Sequence, residues 1–172
     1  MTIDSLWPAI TLFVGFFSSA ALDFFRDQRL TSRERAARDA DNRAKRIESR
    51  NMFQKENLLQ LQEECMKLAR ATGAINHNDI MVYKSTGEWR KNLTPDDWGD
   101  EHLQALQRIN ILSSRVSDEQ VRQAVNNFKG QAVSVLESDT REAGDRSLHQ
   151  MANIFVELNE KIGTVIRKID EF

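Results

Sequence analysis

Proline occurs only twice and glycine only seven times in 172 residues. Both residues interrupt regular backbone, so their scarcity excludes a turn-rich β architecture and favours long helices. A single cysteine, Cys65, excludes an intramolecular disulfide. It falls among Leu61, Leu68 and Ala69 in a helical pattern, which marks a small buried hydrophobe and not a reactive thiol. A net charge of −2 makes no global case for nucleic acid. The glycines are isolated, so there is no GxGxxG loop to cradle phosphate, and there is no HExxH. No serine stands in a nucleophile-elbow context. His77, His102 and His149 lie far apart, and nothing in their spacing gathers them with Asp79, Asp100 or Glu142 into a metal site. The chain therefore reads as a non-enzyme, with no catalytic set, cofactor or metal expected.

Charge is also missing from Ser5 to Leu22, and no lysine or arginine precedes Arg26. At about 1.5 Å per residue such a run reaches roughly 27 Å, near the thickness of a bilayer's hydrocarbon core. Trp7 at one end and Phe24 with Phe25 at the other suit interfacial anchors. Pro8 falls in the first turn, where a missing N–H costs little. A signal peptide needs a basic leading segment, which is lacking here, although Ser19-Ala20-Ala21 resembles a cleavage site. A soluble helix apolar on every side needs more partner surface than a chain of this size offers. Residues 1–25 are accordingly expected to form a transmembrane helix. Thr11, Gly15, Ser19 and Asp23 recur every four residues, and the first three define a face for helix self-association through small residues.

Residues 26–50 hold nine Lys/Arg against five Asp/Glu, a local +4, whereas residues 51–172 hold fifteen against nineteen, a local −4. Arg26, Arg29, Arg33, Arg35 and Arg38 directly follow the apolar run. The positive-inside bias then places the N-terminus outside and residues 26–172 in the cytoplasm of a single-pass plasma-membrane protein. Residues 26–51 are expected to be a charged juxtamembrane helix with i,i+4 pairs Glu34/Arg38, Arg35/Asp39, Asp39/Arg43 and Asp41/Lys45. The arginines would adhere to anionic headgroups. Acidic residues interrupt the basic run and no aromatics interleave, which argues against nucleic acid. A weak heptad runs through Ala37, Ala40, Ala44 and Ile47 and then meets Asn51 and Gln54, so a parallel coiled coil is one expected form of homo-oligomer.

Residues 52–172 read as a cytoplasmic bundle, giving an all-α fold of about four antiparallel helices. Leu58, Leu59, Leu61, Cys65, Met66, Leu68 and Ala69 make a broad apolar face, and Gly73 is the expected stop. With no earlier break after Gly15, this helix would run continuously from about residue 4 to 72, roughly 100 Å. Residues 74–94 are the least regular part: Ile80 to Tyr83 fit a short helix or an extended piece, broken by Gly87. Trp89 and Trp98 are expected to cap the core. Thr94-Pro95 suits a helix start, for a helix over 95–113 bearing Leu103, Leu106, Ile109, Ile111 and Leu112. Ser117 to Gln120 has the capping-box pattern. The last helix is expected from Asp145 or Arg146, with Leu148, Met151, Phe155, Leu158, Ile162, Val165 and Ile169 as its stripe. Asp96, Asp97, Asp100 and Glu101 suit the dipole of a helix start.

The stretches TLFVGFFSSAALDFFRDQRLTSRERAARDADNR, INILSSRVSDEQVRQAVNNF and IFVELNEKIGTVIRKI give the chain a resemblance to uncharacterised bacterial single-pass membrane proteins with a charged juxtamembrane helix and a small cytoplasmic helical domain. The resemblance implies location in the bacterial inner membrane and fold, and carries no activity. The expected partners are the membrane, a second copy of the chain and a protein partner. The leading functional expectation is a membrane-anchored scaffold or sensing module. The alternative is a small membrane-acting effector, of phage or phage-defence type, that self-associates through Thr11, Gly15 and Ser19.

Overall fold

In a computed structural model of the protein, the backbone is described for residues 7–90 and 96–171 and the side chains for residues 34–90 and 97–171. Among them there are four helices and no strand: α1 (Trp7–Thr86), α2 (Asp96–Ser114), α3 (Glu119–Glu137) and α4 (Arg141–Asp170). The chain divides into two compact units, residues 1–49 and 50–172. In the first, every described side chain from Glu34 to Ser49 is exposed. Among the described residues no helix is long and apolar enough to cross a membrane. The uncharged run Ser5–Leu22, on which the membrane expectation stands, lies outside the residues whose side chains are described.

The second unit is a four-helix bundle made by the C-terminal part of α1 with α2, α3 and α4. Cross-links between helices give its directions. From Gln54 to Arg70, α1 meets α2 in descending order: Gln54 Nε2 donates to Arg115 O (2.9 Å), Asn57 Nδ2 to Leu112 O (3.0 Å), and Arg70 pairs with Glu101 (3.5 Å). Along α4, Lys55 pairs with Asp170 at 2.7 Å and Gln62 Nε2 donates to Asn159 Oδ1 at 2.7 Å, again in opposite sense. Gln131 of α3 reaches Ser147 O and Gln150 of α4. The arrangement is thus up-down-up-down with neighbouring helices antiparallel, as short connections require. Leu58, Leu61, Cys65, Leu68, Ile109, Val125, Phe128, Leu158 and Ile162 are fully buried along its axis, with Phe128 and Phe155 rings 5.4 Å apart.

Several helix limits differ from those the residue pattern predicts. Gly73 does not stop α1, and residues 74–86, expected to be irregular, continue it. Ala71 and Thr72 before Gly73 and Ile75, Asn76 and Asp79 after it are all buried, and their burial outweighs the roughly 1 kcal/mol that an internal glycine costs a helix. Gly87 ends the helix, at φ 75°, with its N–H on Tyr83 O at 2.8 Å. That left-handed conformation is one a side chain resists. The capping box at Ser117 does not form. Asp118 is the cap of α3 instead, its carboxylate accepting from Val121 N at 2.9 Å, while Ser117 N donates to Gln54 Oε1. The last helix starts at Arg141, earlier than Asp145 or Arg146, because Thr140 Oγ1 accepts from Ala143 N. Thr94-Pro95 lies outside the described residues. The apolar faces also need correction: Leu59, Met66, Leu103 and Ile111 point to solvent, each about half exposed. The stripe of α4 holds, with Met151, Leu158 and Ile162 buried and Leu148, Phe155, Val165 and Ile169 half-buried.

Candidate functional site

The residues singled out for the membrane, namely Thr11, Gly15 and Ser19, the aromatics Trp7, Phe24 and Phe25, and Arg26, Arg29 and Arg33, have side chains outside the described residues. Arg35 and Arg38 are exposed. Of the four expected ion pairs in this segment, Glu34/Arg38 (3.9 Å) and Asp41/Lys45 (2.8 Å) form, whereas Arg35/Asp39 and Asp39/Arg43 do not close. Both pairs that form are well exposed, so each contributes only a few tenths of a kcal/mol.

In the bundle, the polar groups worth weighing gather at two places. The first is Glu64, on α1. Its side chain is 7% exposed and is held by Lys67 at 2.9 Å and by Arg108 of α2 at 3.3 Å. The carboxylates of Glu64 and Glu63 hold the Lys67 ammonium above its ordinary range. Gln60, Glu63, Ile111 and Leu112 complete a shallow groove of about 450 Å³ around this group. A carboxylate engaged by two cations and walled by a leucine works as a polar tie between α1 and α2.

The second place is where the turn after α1 folds back. Asp79 is buried, and burial raises its carboxyl above the usual range while Arg90, at 3.5 Å, opposes the shift. Arg90 has φ 55° and donates through Nη2 to Val135 O at 2.6 Å, while its guanidinium lies 5.9 Å from the centre of the Trp89 ring. Trp89 Nε1 donates to Ser138 O at 2.9 Å, and the ring meets Tyr83 edge-on at 6.1 Å. Residues 89 and 90 thus supply donors to the last carbonyls of α3, which have no partner within their own helix. Asn76 sits beneath them, 1% exposed, and neither its Oδ1 nor its Nδ2 has a hydrogen-bond partner. Such a buried amide costs about 1–3 kcal/mol. Trp89 caps this end of the core as expected, and Trp98 is half-buried. The pairing of Asp79 with Arg90 is invisible in the sequence, because Arg90 reaches Asp79 only through the left-handed turn at Gly87 and Arg90.

The remaining titratable candidates are committed to packing or to solvent. Burial, with the nearby Glu64 charge, pushes the Cys65 thiol up to about 12, so it packs as the small hydrophobe its sequence setting predicts. His102 is buried, which lowers its pKa, and its Nε2 has no hydrogen-bond partner. His77 and His149 are exposed. Among the described residues no three His, Cys, Asp or Glu side chains stand where they could hold a metal ion. Asp96 opens α2, and Glu101, in the turn that follows, pairs with Arg70. No protein-family model, curated protein or solved structure matches the chain, so the functional reading rests on its own residues.

Proposed function

We propose that this protein is a membrane-tethered, non-catalytic helical module whose bundle stands at the cytoplasmic face of a bacterial plasma membrane and works through protein contacts. The observation that carries the reading is the eighteen-residue uncharged run Ser5–Leu22, bounded by aromatics and followed by Arg26, Arg29, Arg33, Arg35 and Arg38. A run of that length followed by arginines on one side specifies both a span and its direction. The bundle supports the contact role. Its buried carboxylates, Glu64 and Asp79, are engaged in ties between structural elements, while Leu59, Met66, Leu103 and Ile111 are displayed outward. The test is carbonate extraction of membranes from cells making the full chain, together with reporters fused at the C-terminus. The protein should stay in the carbonate-resistant pellet, and only a reporter active in the cytoplasm should signal. Release into the supernatant, or a periplasmic reporter signal, refutes the reading.

The four-residue spacing of Thr11, Gly15 and Ser19 favours a second reading, in which the tethered protein self-associates in the bilayer and perturbs it. Depolarisation on expression that is abolished by Gly15→Leu would select this reading over the first.

A further inference from the structure

We propose that Trp89 and Arg90 form a strap that lifts off the end of the bundle while the helices stay folded, uncovering Asn76 and Asp79 of α1. The hold of the strap is narrow. From Lys84 to Glu88 every residue is exposed, and within residues 84–90 only Trp89 and Arg90 are withdrawn from solvent. Their polar anchors are the bonds to Ser138 O and Val135 O and the ion pair with Asp79. Gly87, at φ 75°, precedes them, and nothing lies within 4 Å of where its Cβ would stand, so this joint turns without obstruction.

The closed position leaves polar groups unsatisfied. Asn76 is 1% exposed, and both ends of its amide lack a hydrogen-bond partner. Arg90 Nε is buried as well, and it stands 3.5 Å from Asp79 Oδ2, an ion pair without a hydrogen bond. Three of the four unpartnered buried side-chain atoms among the described residues therefore lie under or in the strap. Each was withdrawn from water without a replacement bond, which opposes closure. Arg90 also holds φ 55°, a conformation that residues with a Cβ rarely adopt. Lifting the strap hydrates the amide, the carboxylate and the guanidinium together and frees the Arg90 backbone. What is lost is two hydrogen bonds, the long ion pair and the edge-on contact of Trp89 with Tyr83. The core beneath contrasts with this: Leu58, Leu61, Cys65 and Leu68 are wholly buried and apolar, and opening it exposes hydrophobic surface instead. Native proteins open first where burial is thin and polar, well below the free energy of global unfolding. The strap thereby controls when an acceptor-rich seat, made by Asp79 and the carbonyls of Val135 and Ser138, meets solvent. It lies wholly within residues 50–172, so the inference stands or falls apart from the membrane reading.

The test compares two buried thiols in one full-length chain. Asn76→Cys or, separately, Asp79→Cys places a thiol under the strap, and the native Cys65, 0% exposed, reports opening of the core. Iodoacetamide labelling in native buffer is followed by mass spectrometry of the peptides. Asn76→Cys removes an unpaired amide and so favours the closed strap, whereas Asp79→Cys removes the ion partner of Arg90 and favours the open one. Together they bracket the native chain. Both are expected to label at least about tenfold faster than Cys65. About 1 M urea should speed Cys65 severalfold and leave the thiol under the strap nearly unchanged, because a local opening exposes little surface. Adding Trp89→Ala to Asn76→Cys should speed labelling at position 76 at least about threefold further and leave Cys65 within about twofold. Labelling of position 76 at the rate of Cys65, the same urea dependence at both, or a Trp89→Ala effect equal at both would each overturn the proposal, since the strap would then open only with the whole bundle.

Discussion

The same substitution at two glycines should move stability in opposite directions. Gly130 lies in α3 and Gly144 in α4, so alanine at either brings the same intrinsic gain, up to about 1 kcal/mol of helix propensity. Their surroundings differ. A methyl at Gly130 meets nothing within 4 Å, so nothing opposes the gain. At Gly144 it would stand 3.0 Å from Asn76 Oδ1 and 3.1 Å from Trp89 Cζ2, inside ordinary van der Waals separation. Neither neighbour yields freely: Asn76 is 1% exposed, and the Trp89 ring is held by its bond to Ser138 O. Overpacking of this kind costs about 1–3 kcal/mol. Gly130→Ala should therefore stabilise by about 0.5–1 kcal/mol and Gly144→Ala should destabilise by about 1 kcal/mol. Urea titration of the full chain, followed by far-ultraviolet circular dichroism, measures both. Tm should rise for the first and fall for the second by roughly 4 °C each. If Gly144→Ala stabilises as much as Gly130→Ala, the close packing of α1, the turn and α4 at this end of the bundle is wrong.

Two further outcomes separate the tertiary structure from the residue pattern. Asp118→Ala should cost about 1 kcal/mol through loss of the α3 cap, and Ser117→Ala only a few tenths, as read by the shift in urea midpoint; the reverse order would reinstate the capping box at Ser117. His102 titrates near 6.5 when unfolded and lower when buried, so the unfolded chain binds the proton more readily. The stability that neutral His102 contributes is present above pH 6.5 and is lost as pH falls through 6.5 towards its folded value. His102→Gln should flatten that part of the pH–stability profile, and an unchanged slope would show that His102 is not its source.

Much of the bundle was legible because period and burial coincide. In α4 the apolar residues step by three and four, and every residue of the predicted stripe is buried or half-buried, joined by Ile154 and Ile166 beside it. Local pattern failed where distant residues decide. Gly73 has the local character of a helix stop, yet the following two turns bury Ile75, Asn76 and Asp79. Leu59 and Met66 are apolar and fall within the expected core face, but each keeps about half of its surface exposed. The tie between Asp79 and Arg90 is not legible in the sequence, since its geometry depends on positive φ at both Gly87 and Arg90.

Composition and spacing alone determined that this chain is helical, that its C-terminal two-thirds forms a core, and that an uncharged run precedes a basic one. These are properties of neighbours along the chain, and helix periodicity is set by neighbours. Only the tertiary structure decided where each helix ends, which apolar side chains reach the interior, and which carboxylates are drawn inside with a cation. Those outcomes depend on contacts between residues 11 to 115 positions apart, which the propensities of chain neighbours do not express.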